Sequence, residues 1–330
     1  MPPSIRIPKL WELPGLKPSP EEAFLDRRRF LRNLGLAGAA AAGLGVISPT
    51  VGLLTGCSAG EGNGDSAPAV KLTPIQAARN PAYTLDRPLT DEAVAARYNN
   101  FYEFTEVKEW VVKHAHKLRT RPWAVEIAGL VQRPATLDAD DLRRSMPIEE
   151  RLYRHRCVEA WAMAVPWIGF PLKVLLDRAE PLGSARHVRF VSFHRPEEAQ
   201  NQGPFSHYPW PYFEALTIEE AAHPLTLMGV GIYGHELPPQ HGAPLRLVIP
   251  WKYGFKSIKS VVRIELTSER PPTFWNTLSP NEYDFSANVD PEIPHPRWSQ
   301  ATERMIDTGE RRPTLKYNGY GDRVAGLYRS

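Results

Sequence analysis

A chain of 330 residues can bury one large core or two modest ones without disulfide or metal support. Its 40 Lys+Arg against 37 Asp+Glu leave a formal charge of +3, too small and too dispersed for a nucleic-acid binder. Nine tryptophans exclude a largely disordered chain, and 33 prolines spread along its length imply long ordered loops around a compact fold.

Residues 1–26 are polar and proline-rich, then RRRFLR at 27–32 precedes a Gly/Ala-rich apolar stretch from Leu34 to Leu54. A basic cluster ahead of an apolar segment is the layout of a secretory signal. The order Arg27-Arg28-x-Phe30-Leu31 resembles the twin-arginine type, which exports proteins already folded around their cofactors. The competing reading is a membrane-spanning helix, which five glycines and Pro49 between residues 34 and 54 weaken. At the end of the stretch, Leu54-Thr55-Gly56-Cys57 resembles a lipobox, so Cys57 is either a lipid anchor or is removed with the signal. The sequence thus predicts a signal over 1–57, a polar tether and N-terminal extension over 58–94, and a catalytic domain over 95–330. The run 58–68 is too polar to bury anything.

Within the domain, YNNFYEF at 98–104 sets aromatic side chains beside two amides and Glu103; alone it reads equally as an aromatic-anchored surface loop. Alternating or β-branched runs predict strands at 123–131, 187–194, 225–233, 245–250 and 258–266. Leu172, Leu175, Leu176 and Ala179 recur at helical spacing over 171–180. Asp138 before ADDLRR is a helix start, and Thr217 with Glu220 has capping-box spacing. The elements predict a mixed, loop-rich α+β fold, with no GxGxxG or phosphate-binding loop to mark a nucleotide site.

Once Cys57 is lipidated or removed, Cys157 is the single thiol of the mature chain, which excludes a structural disulfide. It could be a buried thiol acting as a small hydrophobe. However, RLYRHRCVEAW at 151–161 places Arg154, His155 and Arg156 just before it, and nearby positive charge favours the thiolate. Thiolate suits soft metals, and without a CxxC or HExxH partner set the remaining ligands must come from a cofactor. Further along, residues 238–262 gather Arg246, Lys252, Lys256 and Lys259 around Gly242 and Gly254. Glycines let a backbone approach a ligand closely, and Arg and Lys suit a phosphate monoester.

YRHRCVEAWAMAVPWIGFPL at 153–172 closely resembles the catalytic subunit of the bacterial periplasmic protein-methionine-sulfoxide reductases. So do YNNFYEF, HPLTLM at 223–228, PWKYGFKSIKS at 250–260, HPRWSQATER at 295–304 and YNGY at 317–320. The resemblance implies the sulfite-oxidase-type molybdopterin fold, without the dimerisation domain of sulfite oxidases. It also implies one molybdenum held by one molybdopterin (the Mo-molybdopterin cofactor) and by Cys157. Cofactor contacts carry over onto Asn99, Tyr102, Glu103, Ser192, His241, Arg246, Ser257, Ile258 and Lys259. Ser192 stands where threonine is usual and keeps the hydroxyl, whereas His241 stands where asparagine is usual and changes shape and charge. The implied reaction moves the oxygen of methionine sulfoxide in envelope proteins to molybdenum, reversing an oxidative lesion. Electrons would come from quinol through a haem-containing inner-membrane subunit, because no CxxCH or cluster ligand set is present. The rivals are a sulfite-oxidase-like enzyme, which Glu159 so close to the ligand would oppose, and a non-catalytic lipid-tethered binding protein.

Overall fold

The computed structural model describes residues 71–329; the signal at 27–54, Cys57 and the run 58–68 lie outside them. The chain passes between two sheets. The first, in order β2-β1-β10-β5-β6, comprises β1 (Ala124–Gly129), β2 (Ala135–Asp138), β5 (His187–Ser192), β6 (Phe213–Thr217) and β10 (Val261–Thr267). The second contains β3 (Glu149–Arg156), β4 (Trp161–Pro171), β7 (Leu227–Ile232), β8 (His235–Glu236), β9 (Arg246–Val248), β11 (Thr302–Met305) and β12 (Arg311–Pro313). This is the mixed α+β architecture expected, and all five expected strand runs contain a strand.

Alternation builds the first sheet. Val188, Phe190 and Ser192 of β5 point inward while the residues between them are half-exposed. The second sheet is organised by β4, a continuous apolar run buried at every position but the last. One edge of β4 pairs antiparallel with all of β3; the other is shared by β11 at residues 161–162 and β7 at residues 167–171. A strand enclosed on both edges and both faces needs no polar side, so its sequence does not alternate.

The expected helix at 171–180 is α4 (Leu172–Ala179), with Leu172, Leu175, Leu176 and Ala179 buried. Before it come α1 (Glu92–Arg97), α2 (Val111–Ala115) and α3 (Ala139–Ser145). Asp138 caps α3 by accepting the N–H groups of Asp140 and Asp141. Thr217 and Glu220 form the capping box of the one-turn helix α5 (Ile218–Ala221). No helix among the described residues is long and apolar enough to cross a membrane.

One apolar cluster joins both sheets, from Val125, Val188 and Ile264 to Val165, Phe170 and Leu227. Residues 71–91 run against this body. Ile75 enters the cluster, Arg79 bonds Glu150, and the buried Arg87 guanidinium pairs with Glu303. The connections that cross between the sheets, or turn at their ends, are the loops that build the site.

Candidate functional site

Four connections converge on one cleft. They are the loop after α1 (residues 98–103), the β3–β4 turn (157–160), the turn before β9 that holds His241, and the crossover 254–259 from β9 to β10. Cys157, Asn99, Tyr102, Glu103, His241, Arg246, Ser257, Ile258 and Lys259 all line it, so residues up to 160 positions apart in the chain share one cavity. Ser192 is the exception. Its hydroxyl lies behind the crossover and donates to the Lys259 carbonyl at 2.8 Å, supporting the turn from outside the lining.

Cys157 opens a four-residue hairpin turn. Its N–H donates to the Trp161 carbonyl, and Ala160 takes a left-handed conformation at φ 65°. The residue is 4% exposed, and its sulfur accepts from Asn100 Nδ2 and from the Glu159 backbone N–H, both at 3.4 Å. Glu159 Oε2 lies 3.7 Å from the sulfur and accepts from Trp161 Nε1 at 3.0 Å, while the other carboxylate oxygen pairs with Lys108 Nζ at 3.0 Å.

Of the arginines expected to lower the thiol pKa, Arg156 still does so through its charge, but burial outweighs it. Arg154 and Arg156 project from the face of β3 opposite the cleft. Arg154 bonds Asp86 and the Asn318 carbonyl, and Arg156 bonds Gln300 and Thr314 beside Glu303. Burial, reinforced by the Glu159 carboxylate, instead pushes the Cys157 thiol well above its ordinary value. Metal binding must therefore displace the proton. His155, which does face the cleft, is held neutral, down to about 3, by burial and by the charges of Arg246 and Lys259.

The basic segment also divides differently from its sequence. Lys252 and Lys256 are buried but neutralised, by Glu220 and Glu214 respectively. Only Arg246 and Lys259 face the cleft, and neither lies within ion-pair distance of a carboxylate among the described residues. Arg246 donates Nε–H to the Leu247 carbonyl, one Nη1–H to the His241 carbonyl and one Nη2–H to the Ser257 carbonyl. Guanidinium has five N–H donors, so one remains on each terminal nitrogen, the fork that fits an oxyanion. Burial without a counter-charge brings its pKa down to about 9, and burial and Arg246 depress that of Lys259. An anion in the cleft would relieve both. Gly242 lies close behind: at φ +91°, a Cβ there would sit 2.6 Å from Lys259 Cβ.

The expected residues form only part of the lining. Asn100, Trp161, Met163, Trp167, Tyr212, Trp275 and Tyr283 line the cleft as well. Residues 161, 163 and 167 share the parity of a single strand face, a period-two signal that would have marked them had β4 been read as a strand.

Residues 112–275 match the family model described as the oxidoreductase molybdopterin binding domain. The chain carries a molybdopterin-binding oxidoreductase domain. Cys157, Ser192, His241, Arg246 and the 257–259 turn fall within the matched stretch, and the loop bearing Asn99, Tyr102 and Glu103 precedes it. The sulfane dehydrogenase SoxCD from Paracoccus pantotrophus, a solved structure, aligns at 16% identity with a TM-score of 0.40, covering 79% of this chain. This chain spans 63% of that one's length.

The domain's cofactor is Mo-molybdopterin, and the cleft suits it. One buried thiol that a metal can deprotonate, two buried cations with no carboxylate within ion-pair distance and an unpartnered His241 Nε2 are what a ligand with soft sulfur donors and a phosphate end requires.

Proposed function

We propose that this chain is the catalytic subunit of a molybdenum-dependent reductase of methionine sulfoxide residues in envelope proteins. The supporting observation is the division of charge in the cleft. Arg246 and Lys259 are buried beside the Gly242 and 257–259 turns with no carboxylate of the described residues within ion-pair distance, although the Glu103 carboxyl in the same lining acts on Lys259 electrostatically. The neighbourhood of Cys157 instead offers the Glu159 carboxylate and an aromatic wall of Tyr98, Tyr102, Trp161, Trp275 and Tyr283. Lys108, which acts on Tyr98 of this wall, is spent on Glu159. Such a surface takes an uncharged, polarisable sulfoxide or thioether and repels sulfite.

The cofactor supplies the two-electron chemistry: sulfoxide, two electrons and two protons give thioether and water. The protein's part is to hold the Cys157 sulfur between Asn100 and the Glu159 N–H, to seat the anionic end at Arg246 and Lys259, and to present a dry aromatic entry. Electrons come from outside the chain, through a haem-containing membrane subunit fed from quinol. The twin-arginine signal puts the enzyme in the periplasm, with Cys57 as its tether if it is lipidated.

The reading is tested on mature protein purified from a host able to make the cofactor. Each chain should carry one molybdenum and one pterin, reduce oxidised methionine in a protein substrate with an artificial donor, and leave sulfite unoxidised. Faster turnover of sulfite than of oxidised protein would refute the substrate assignment.

A further inference from the structure

Tryptophan N–H is a donor with no acceptor function, so a buried indole is satisfied only by an oxygen or nitrogen that can accept. Among the described residues, the other buried and half-buried tryptophans follow that rule. Trp123 donates to the Val261 carbonyl, Trp161 to Glu159, Trp210 to the Asn201 carbonyl, Trp251 to Tyr328 and Trp298 to the Val158 carbonyl. Trp275 bonds Tyr212.

Trp167 breaks the pattern. It is 2% exposed, and its Nε1 has no partner. It lies in the cleft wall on β4, with the Arg246 guanidinium 4.6 Å above its ring centroid and the His241 ring edge-on at 6.3 Å. His241 carries a second unpartnered buried nitrogen, Nε2. Two orphaned ring nitrogens therefore sit beside the guanidinium that keeps two N–H donors unspent. An unmet donor buried this deeply is costly unless a ligand meets it. The Trp167 N–H and the two unspent Arg246 N–H groups lie together at a buried cation that has no carboxylate of the described residues within ion-pair distance, so the acceptor that meets them is anionic.

We propose that Trp167 is a cofactor-binding residue whose indole N–H donates to an oxygen at the phosphate end of molybdopterin, next to the Arg246 fork. This rests on the molybdopterin reading of the domain and adds to it a neutral donor to which the resemblance assigned no role. The indole has two functions: its face carries the guanidinium, and its edge meets the ligand. A residue that served only as packing would need the first alone.

The test separates the two functions. Holoenzyme is prepared as wild type, as Trp167→Phe, and with 3-benzothienylalanine at 167, which keeps the shape of indole but replaces N–H by sulfur. The same isostere at Trp123, whose N–H bonds a backbone carbonyl, controls for a purely structural loss. Molybdenum and pterin per chain are followed through prolonged dialysis, with thermal melting recorded for each protein. Both 167 variants should shed pterin roughly ten- to a hundredfold faster than wild type, the range for a hydrogen bond to a charged group. The Trp123 variant should melt lower but retain cofactor as wild type does. Because the isostere keeps ring volume and stacking, it tests the N–H by itself even if Trp167→Phe fails to fold. Wild-type retention in the isostere at 167 would overturn the proposal while leaving the molybdopterin reading intact. Wild-type protein devoid of pterin would overturn both.

Discussion

Cys157 is the residue to which the proposed chemistry is assigned, and its surroundings differ from what its neighbours in sequence suggest. Adjacent positions on a strand face opposite sides, so Arg154 and Arg156 serve buried networks behind β3 while His155 and the sulfur look into the cleft. The groups that do reach the sulfur are Asn100 Nδ2, 57 positions earlier, and the backbone N–H and carboxylate of Glu159 in its own turn. Replacing Cys157 with serine removes the soft donor and leaves a hard one in its place. Turnover should fall by more than about 100-fold and the molybdenum content of purified protein should drop with it; metal analysis beside a sulfoxide-reduction assay checks both. A Cys157→Ser enzyme with full metal and full turnover would remove the thiolate from the ligand set. At the same scale, the resemblance named Asn99, Tyr102, Glu103, Arg246 and Lys259 as cofactor contacts, and the fold brings all five into the lining of one cleft. They could not separate these from Ser192, because whether a hydroxyl faces a ligand or the Lys259 carbonyl depends on a crossover 67 residues away.

Among elements, period and capping were legible: α4, the Asp138 cap of α3 and the Thr217–Glu220 box of α5 follow from local spacing alone. The β3–β4 hairpin was not. β3 reads as polar because its buried positions include Arg151 and Arg156, which only partners such as Glu149 and Glu303 make tolerable there. β4 reads as an undivided apolar run because it is enclosed on every side. The turns that carry the site depend on glycine at one point above all. Gly242→Ala combines an unfavourable φ of +91° with a Cβ 2.6 Å from that of Lys259. It should destabilise the fold by about 1–3 kcal/mol and, by pushing Lys259 aside, weaken cofactor retention. Denaturant unfolding and pterin content after dialysis report the two effects separately.

For the molecule as a whole, the segment before the domain acts as a clasp. Asp86 accepts from Arg154 at 3.0 Å and from its neighbour Arg87, whose guanidinium is buried against Glu303. Burial alone would raise the Asp86 pKa, but these two arginines hold its carboxyl below the ordinary 3.8. Its contribution to stability is therefore present above 3.8 and lost as the pH falls through the lower folded-state value. Asp86→Asn should cost about 1 kcal/mol at pH 7, given the half-exposed carboxylate. The gap between variant and parent should narrow progressively below pH 4. Paired urea titrations at pH 7 and pH 3 measure it, and an equal gap at both would deny the ion pair any role.

What the sequence determined by itself was local: helix spacing and caps, strand runs, a single thiol and the strings that mark a molybdopterin-binding domain. These are legible because period and capping act over a few neighbouring residues. Only the tertiary structure decided which of four clustered cations face the ligand, what surrounds the thiol, and that Trp167 keeps its N–H free. Each of those depends on partners tens of residues away, Glu214 for Lys256, Glu220 for Lys252 and Asn100 for Cys157, brought together where the chain crosses between two sheets. Burial decides their charge and their availability, and burial is a property of the assembled fold.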